Sequence, residues 1–146
     1  MLDRFRGDNL LSESNTTLRS VGAVVAGMLV GILLSIGTDA VMHAIGYFPP
    51  IGQSLSSGPL ISATIYRAIY GIIGAYVASR IAPNRPMLHV MVLGTLCLIV
   101  CIAGAVITWN RGPEFGPHWY PVALIVLALP TAWLGGKLGE RSVATR

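Results

Sequence analysis

Apolar residues gather into four long runs separated by short polar connections. Residues 21–45 form the first run, interrupted only by Asp39 and His43, and exceed the ~20 residues a helix needs to cross the hydrocarbon core. Residues 60–82 form a second run holding Arg67, and residues 87–109 a third with His89 near its start. Residues 120–136 form a fourth, shorter run containing Pro130, which removes a backbone donor and predicts a kink that neighbouring membrane helices tolerate. The connections, at 46–59, 83–86 and 110–119, are short enough to predict that successive helices are antiparallel neighbours. The expected fold is all-α, an antiparallel bundle of four transmembrane helices. Residues 1–17 read as a polar N-terminal segment, with Thr16 or Thr17 capping the first helix, and residues 18–146 as one transmembrane domain. The first run is too long for the apolar stretch of a cleaved signal peptide, so none is expected.

Composition supports that picture. The 146 residues are 53% hydrophobic and only 11% charged, against roughly 25% charged in soluble domains. A water-soluble enzyme and a disulfide-stapled secreted domain are disfavoured, and the net charge of +4 forms no basic stripe, so no nucleic-acid partner is expected. The placement of the cations has another explanation. Arg4, Arg6, Arg19, Arg80, Arg85, Lys137, Arg141 and Arg146 fall on one side of a four-span topology, Arg111 on the other, and Arg67 within a span. The positive-inside rule then places both termini and the 83–86 turn in the cytoplasm. Tyr47, Phe48, Trp109, Trp119 and Tyr120 cluster at the outer interface, and Trp133 lies towards the inner one.

Every fourth residue of the first span gives Ala23, Gly27, Gly31, Ser35, Asp39 and His43, a ridge of small residues ending in two ionisable ones. In the second span the ridge is Ala63, Arg67, Gly71, Ala75 and Ser79. An antiparallel hairpin sets Asp39 level with Arg67, Ser35 with Gly71, and Gly31 with Ala75, where small residues allow the close approach that holds helices together in lipid. A charge at mid-membrane costs ~2.5–3.5 kcal/mol on insertion scales, so Asp39 and Arg67 are expected to pair. Tyr66 and Tyr70 flank Arg67, with Tyr70 placed to hydrogen-bond the cluster. The pair reads either as a clasp fixing the hairpin register, or, with His43, as the lining of an outward-open polar pocket. The lid of such a pocket would be the 110–119 loop, which holds Arg111, Glu114 and His118.

Other chemistry is thinly represented. Asp39 with His43, and Glu114 with His118, repeat an acid-x-x-x-His spacing, but the second pair sits in a Gly/Pro loop of no fixed geometry, so no metal site is assigned. His43 and His89 lie at opposite depths and cannot share a haem. Cys97 and Cys101 stand four apart on one helix face, where they act as small packing residues. No serine-protease spacing, phosphate loop or nucleotide fingerprint occurs, so neither an enzyme nor a cofactor is expected.

Gly37-Thr38-Asp39-Ala40, Tyr66-Arg67 with Tyr70-Gly71, and the stretch from Trp109 to Pro121 resemble a group of small uncharacterised bacterial inner-membrane proteins, over about residues 19–140. The resemblance implies a four-helix membrane fold in a bacterial inner membrane and contributes no substrate or cofactor. The chain does not resemble the small multidrug exporters, the small fluoride channels or the DoxX-type proteins. Two functions follow as expectations: a non-enzymatic accessory or structural subunit, packing against itself or a larger membrane complex, or a small oligomeric transporter or channel using Asp39, His43 and Arg67. Gly135, Gly136 and Gly139 are the expected assembly surface of the first.

Overall fold

The computed structural model of the chain describes residues 2–50, 52–54, 56–112 and 115–144, with side chains described from Asn15 to Ser142. It consists of four helices: α1 (Leu2–Ala44), α2 (Ser57–Ile81), α3 (Pro86–Thr108) and α4 (Trp119–Ala144). All four are long and apolar enough to cross a membrane, α1 through its Asn15–Ala44 portion. The chain is an all-α four-helix bundle of the multi-pass membrane type.

Two boundaries differ from those expected. Polar residues 2–17 are not set apart, because α1 runs from Leu2 without a break. Thr16 and Thr17 lie inside the helix instead of capping it, and Ser20 Oγ donates back to the Thr16 carbonyl at 2.9 Å. Polarity there marks where the helix is too hydrophilic for lipid; with no proline and a single glycine, nothing in the segment stops the helix. The fourth span is likewise longer than the 120–136 run and continues through Gly135, Gly136 and Gly139. In a membrane bundle those glycines are contact points, not terminators. The true stop of α1 is Gly46, whose φ of +75° suits a residue without Cβ. The Tyr47 and Phe48 amides then donate back to the Met42 carbonyl, both at 3.0 Å.

The neighbours also differ. The most extensive seam joins α2 to α4; α1 packs on α2, α3 on α4, and α2 meets α3 less closely. Along the α2–α4 seam Gly71 faces Thr131, Ala75 faces Gly135 and Ser79 faces Gly139. Each step of four on α2 is matched by a step of four in the same direction on α4, so the central pair is parallel, and α2 and α3 are joined in sequence without being the main neighbours. Arg80 Nη1 donates to Ser142 Oγ at 2.9 Å near the end of this seam. The core is built from Ala75, Ala78, Val90, Leu93 and Ala132.

Small residues set the helix spacing. A Cβ built on Gly27 would stand 2.5 Å from the Gly74 carbonyl oxygen and 2.8 Å from Ala78 Cβ, so α1 and α2 touch backbone to backbone. On the other hairpin, a Cβ on Gly94 would stand 2.7 Å from Ala132 Cβ. Gly135 is packed against the Ile72 carbonyl and Ala75, and Gly136 against Met87 and Val90. The three α4 glycines expected to form an assembly surface are therefore buried inside the monomer. Leu29, Leu33, Val100, Val106 and Val126 instead face outward, as lipid contact requires.

Candidate functional site

The ridge on α1 delivers Asp39 to the inner side of the helix about two turns before the Gly46 stop, and the close Gly27–Gly74 contact brings α2 within reach. Arg67 Nη2 donates to Asp39 Oδ2 at 2.7 Å, and the Tyr66 hydroxyl donates to Asp39 Oδ1. Both carboxylate oxygens are thus engaged from α2. The two charged side chains remain about 30% exposed, at 33% for Arg67 and 29% for Asp39.

Tyr70 stands beside this cluster, with its ring 5.6 Å from that of Tyr66. Its hydroxyl is bonded to Thr38 Oγ1 at 2.8 Å, not to Asp39 or Arg67. The result is a second tie between the same two helices. The guanidinium of Arg67 lies 5.9 Å from the centroid of the Tyr120 ring, at the edge of the range for a cation–π contact. Tyr120 is the second residue of α4, whereas the α2–α4 register sets the Arg67 backbone beside residues deeper in that helix. The arginine side chain therefore reaches outward along the bundle towards the end where α4 begins, as long cationic side chains do in membranes.

Three expected members of the site lie elsewhere. His43 is exposed and turned edge-on to Phe48, with centroids 5.4 Å apart, and does not line the cavity beside Asp39. Phe48, expected at the interface, is only 5% exposed because the Gly46 turn folds it inward. His118 is held within its own loop: its ring stacks on Trp109 at 4.3 Å, and Nε2 lies 2.8 Å from the Trp109 carbonyl that accepts from it. Arg111 is exposed, and Glu114 lies outside the described residues. The loop rests on the start of α2, where Gly116 approaches Leu60, and none of its described residues lines the cavity next to Arg67 or covers it as a lid.

The cavity occupies about 400 Å³ between the helices. Asp39 and Arg67 stand at one end, and Gly27 and Leu93 at the other. Between them the walls are mostly apolar, with Ser35, Tyr70, Cys97, Cys101 and Thr131 as the polar or weakly polar exceptions. Because α1 and α3 touch only sparingly, the cavity opens sideways between them, past the exposed Ile32, Ile36 and Val100. Among the packing residues expected from sequence, Gly27 and Gly31 face α2, Ser35 lines the cavity, and Gly71 and Ala75 turn to α4 instead of α1.

Thr38 and Tyr120 were not expected as members of the polar cluster. Thr38 carried the only available signal, since it follows Gly37 beside the intramembrane aspartate; the reach of Arg67 to Tyr120 depends on a helix pairing that local pattern does not reveal. Comparison with family models, curated proteins and solved structures finds no match to the chain.

Proposed function

We propose that this integral membrane protein is a non-enzymatic accessory or structural subunit of a bacterial inner membrane, with both termini in the cytoplasm. The carrying observation is the engagement of Asp39: Arg67 and Tyr66 each bond one of its carboxylate oxygens, and all three side chains come from the two helices they tie together. A coupling carboxylate in a transporter would have to release these bonds to take up its ion or proton. Here the bonds fix α1 against α2, a role supported by the adjacent Thr38–Tyr70 bond and the Gly27–Gly74 contact. The cavity below the pair is mostly apolar and, among the described residues, ends at the packed Gly27–Gly74 contact. The outward-facing rows on α1 and α3 are left for lateral association with lipid, a second copy or a larger complex.

The test combines two measurements on the full chain extracted in mild detergent. Native mass spectrometry is expected to find a defined homo-oligomer or a stoichiometric membrane partner. Proteoliposomes are expected to pass protons and alkali cations no faster than protein-free vesicles. A wild-type flux that a folded Asp39→Asn variant abolishes would overturn this reading in favour of the transporter.

A further inference from the structure

We infer that the groove between α1 and α3 is a binding site for one glycerophospholipid, with an acyl chain along the groove and headgroup or ester oxygens at Arg67. Three features on the page converge on this occupant. The first is geometry. From Gly27 to Asp39 the groove follows twelve residues of α1, or ~18 Å at 1.5 Å per residue, close to the ~15 Å of a single leaflet in a ~30 Å hydrocarbon core. It opens sideways, into the phase from which an acyl chain arrives, where Ile32, Ile36 and Val100 are exposed.

The second feature is polarity. The walls are mostly apolar, and charge is confined to one end, which is the distribution of a lipid and not of a soluble metabolite or a hydrated ion. The third is complementarity at that end. Both oxygens of Asp39 are engaged, whereas Arg67 directs one Nη–H at Asp39 and a third of its side chain remains exposed. A guanidinium carries five N–H donors, so what the cluster has in surplus is donors. The ligand that matches offers acceptor oxygens, as phosphate and ester groups do. Depth agrees: Arg67 reaches towards Tyr120 near the start of α4, so its guanidinium lies above its own backbone and nearer the headgroup region.

A transmembrane helix from another protein is a poorer occupant. A cavity of about 400 Å³ holds a chain but is small beside a helix ~10–12 Å in diameter.

The test uses full-length protein and 1-palmitoyl-2-oleoyl phosphatidylglycerol as the probe. Native mass spectrometry of delipidated protein titrated with this lipid is expected to show one molecule retained under activation that strips the rest. Ser35→Phe, which puts a ring into the groove without touching Asp39 or Arg67, should weaken retention at least tenfold. Gly104→Phe adds the same bulk where a Cβ meets nothing within 4 Å, and should leave retention unchanged. A second measurement does not depend on the variant folding: phosphatidylglycerol with a diazirine in its acyl chain should label the wild-type segment around Cys97, which lines the groove, in preference to that around Val106. Equal retention by Ser35→Phe and Gly104→Phe would overturn the inference. So would even labelling over the outward faces, or a protein subunit occupying the groove with no lipid retained. None of these outcomes depends on whether the chain conducts ions, so the site and the accessory role stand or fall separately.

Discussion

Gly27→Ala tests whether close helix approach is what holds this bundle. The added Cβ would lie 2.5 Å from the Gly74 oxygen, 2.8 Å from Ala78 Cβ and 3.0 Å from Leu93 Cδ2, and ordinary van der Waals contact begins at 3.4 Å. Two of the three obstacles cannot rotate away, being a backbone carbonyl and an alanine methyl. Relief therefore requires α1 to withdraw from α2 by about 0.5–1 Å, a gap that forfeits a quarter to a half of each ~0.1–0.2 kcal/mol atom-pair attraction along the seam. Summed over a helix-length contact the loss is about 1–3 kcal/mol, the usual scale for overpacking. The control is Gly22→Ala, because a Cβ there meets nothing within 4 Å. Unfolding is followed by circular dichroism as sodium dodecyl sulfate is titrated into mixed micelles. Gly27→Ala should unfold earlier, while Gly22→Ala matches wild type or slightly exceeds it. Equal stability of the two variants would refute the reasoning, since it would mean that the α1–α2 distance is not set at this contact.

The clasp makes a prediction of opposite form. Asp39→Leu or Arg67→Met alone should cost about 1–2 kcal/mol in the same titration by leaving its partner uncompensated, and the double replacement should recover at least half of that loss; additive losses would deny that the two act as a pair. Gly135→Leu should prevent accumulation of folded monomer, because that position is closed off by the Ile72 carbonyl and Ala75. A folded Gly135→Leu monomer that only fails to assemble would return those glycines to an outer surface. For orientation, in a background lacking Cys97 and Cys101, Gln53→Cys should react with a membrane-impermeant maleimide applied from outside the cell, and Asn84→Cys only after permeabilisation. The reverse pattern would invert the topology.

The division into four helices was legible because lipid imposes a simple demand: each crossing needs a long apolar run, and runs of that kind stand out against 11% charged residues. The ends of those helices were less so. Apolarity marks where a helix can lie in lipid, and helix formation continues wherever nothing breaks it, which is why α1 extends back to Leu2 and α4 on to Ala144. Neighbour choice was hidden for a further reason. On α2 the row Tyr70, Gly74, Ala78 meets α1, and the row one residue on, Gly71, Ala75, Ser79, meets α4. Adjacent rows differ by only about 100° around the helix, and both are small. A pattern of small residues shows that close contacts exist; which partner each row faces is decided by the whole bundle.

The polar cluster divides along the same line. Asp39 and Arg67 were paired correctly because an isolated intramembrane charge is costly enough that its only opposite within reach is a strong inference. His43 sits on the same ridge, yet it is one turn nearer the helix end, where water replaces the need for a partner and the Gly46 turn supplies Phe48 as a neighbour. The energetic argument that forces the pair thus loses its hold within a single turn. It also explains why the cluster reads as a clasp: its hydrogen bonds join α1 to α2, so the ionic bond and the Gly27 contact constrain the same helix pair at two depths. The α1–α3 side has no ionic tie, and beyond the Gly27–Leu93 contact the groove stands open.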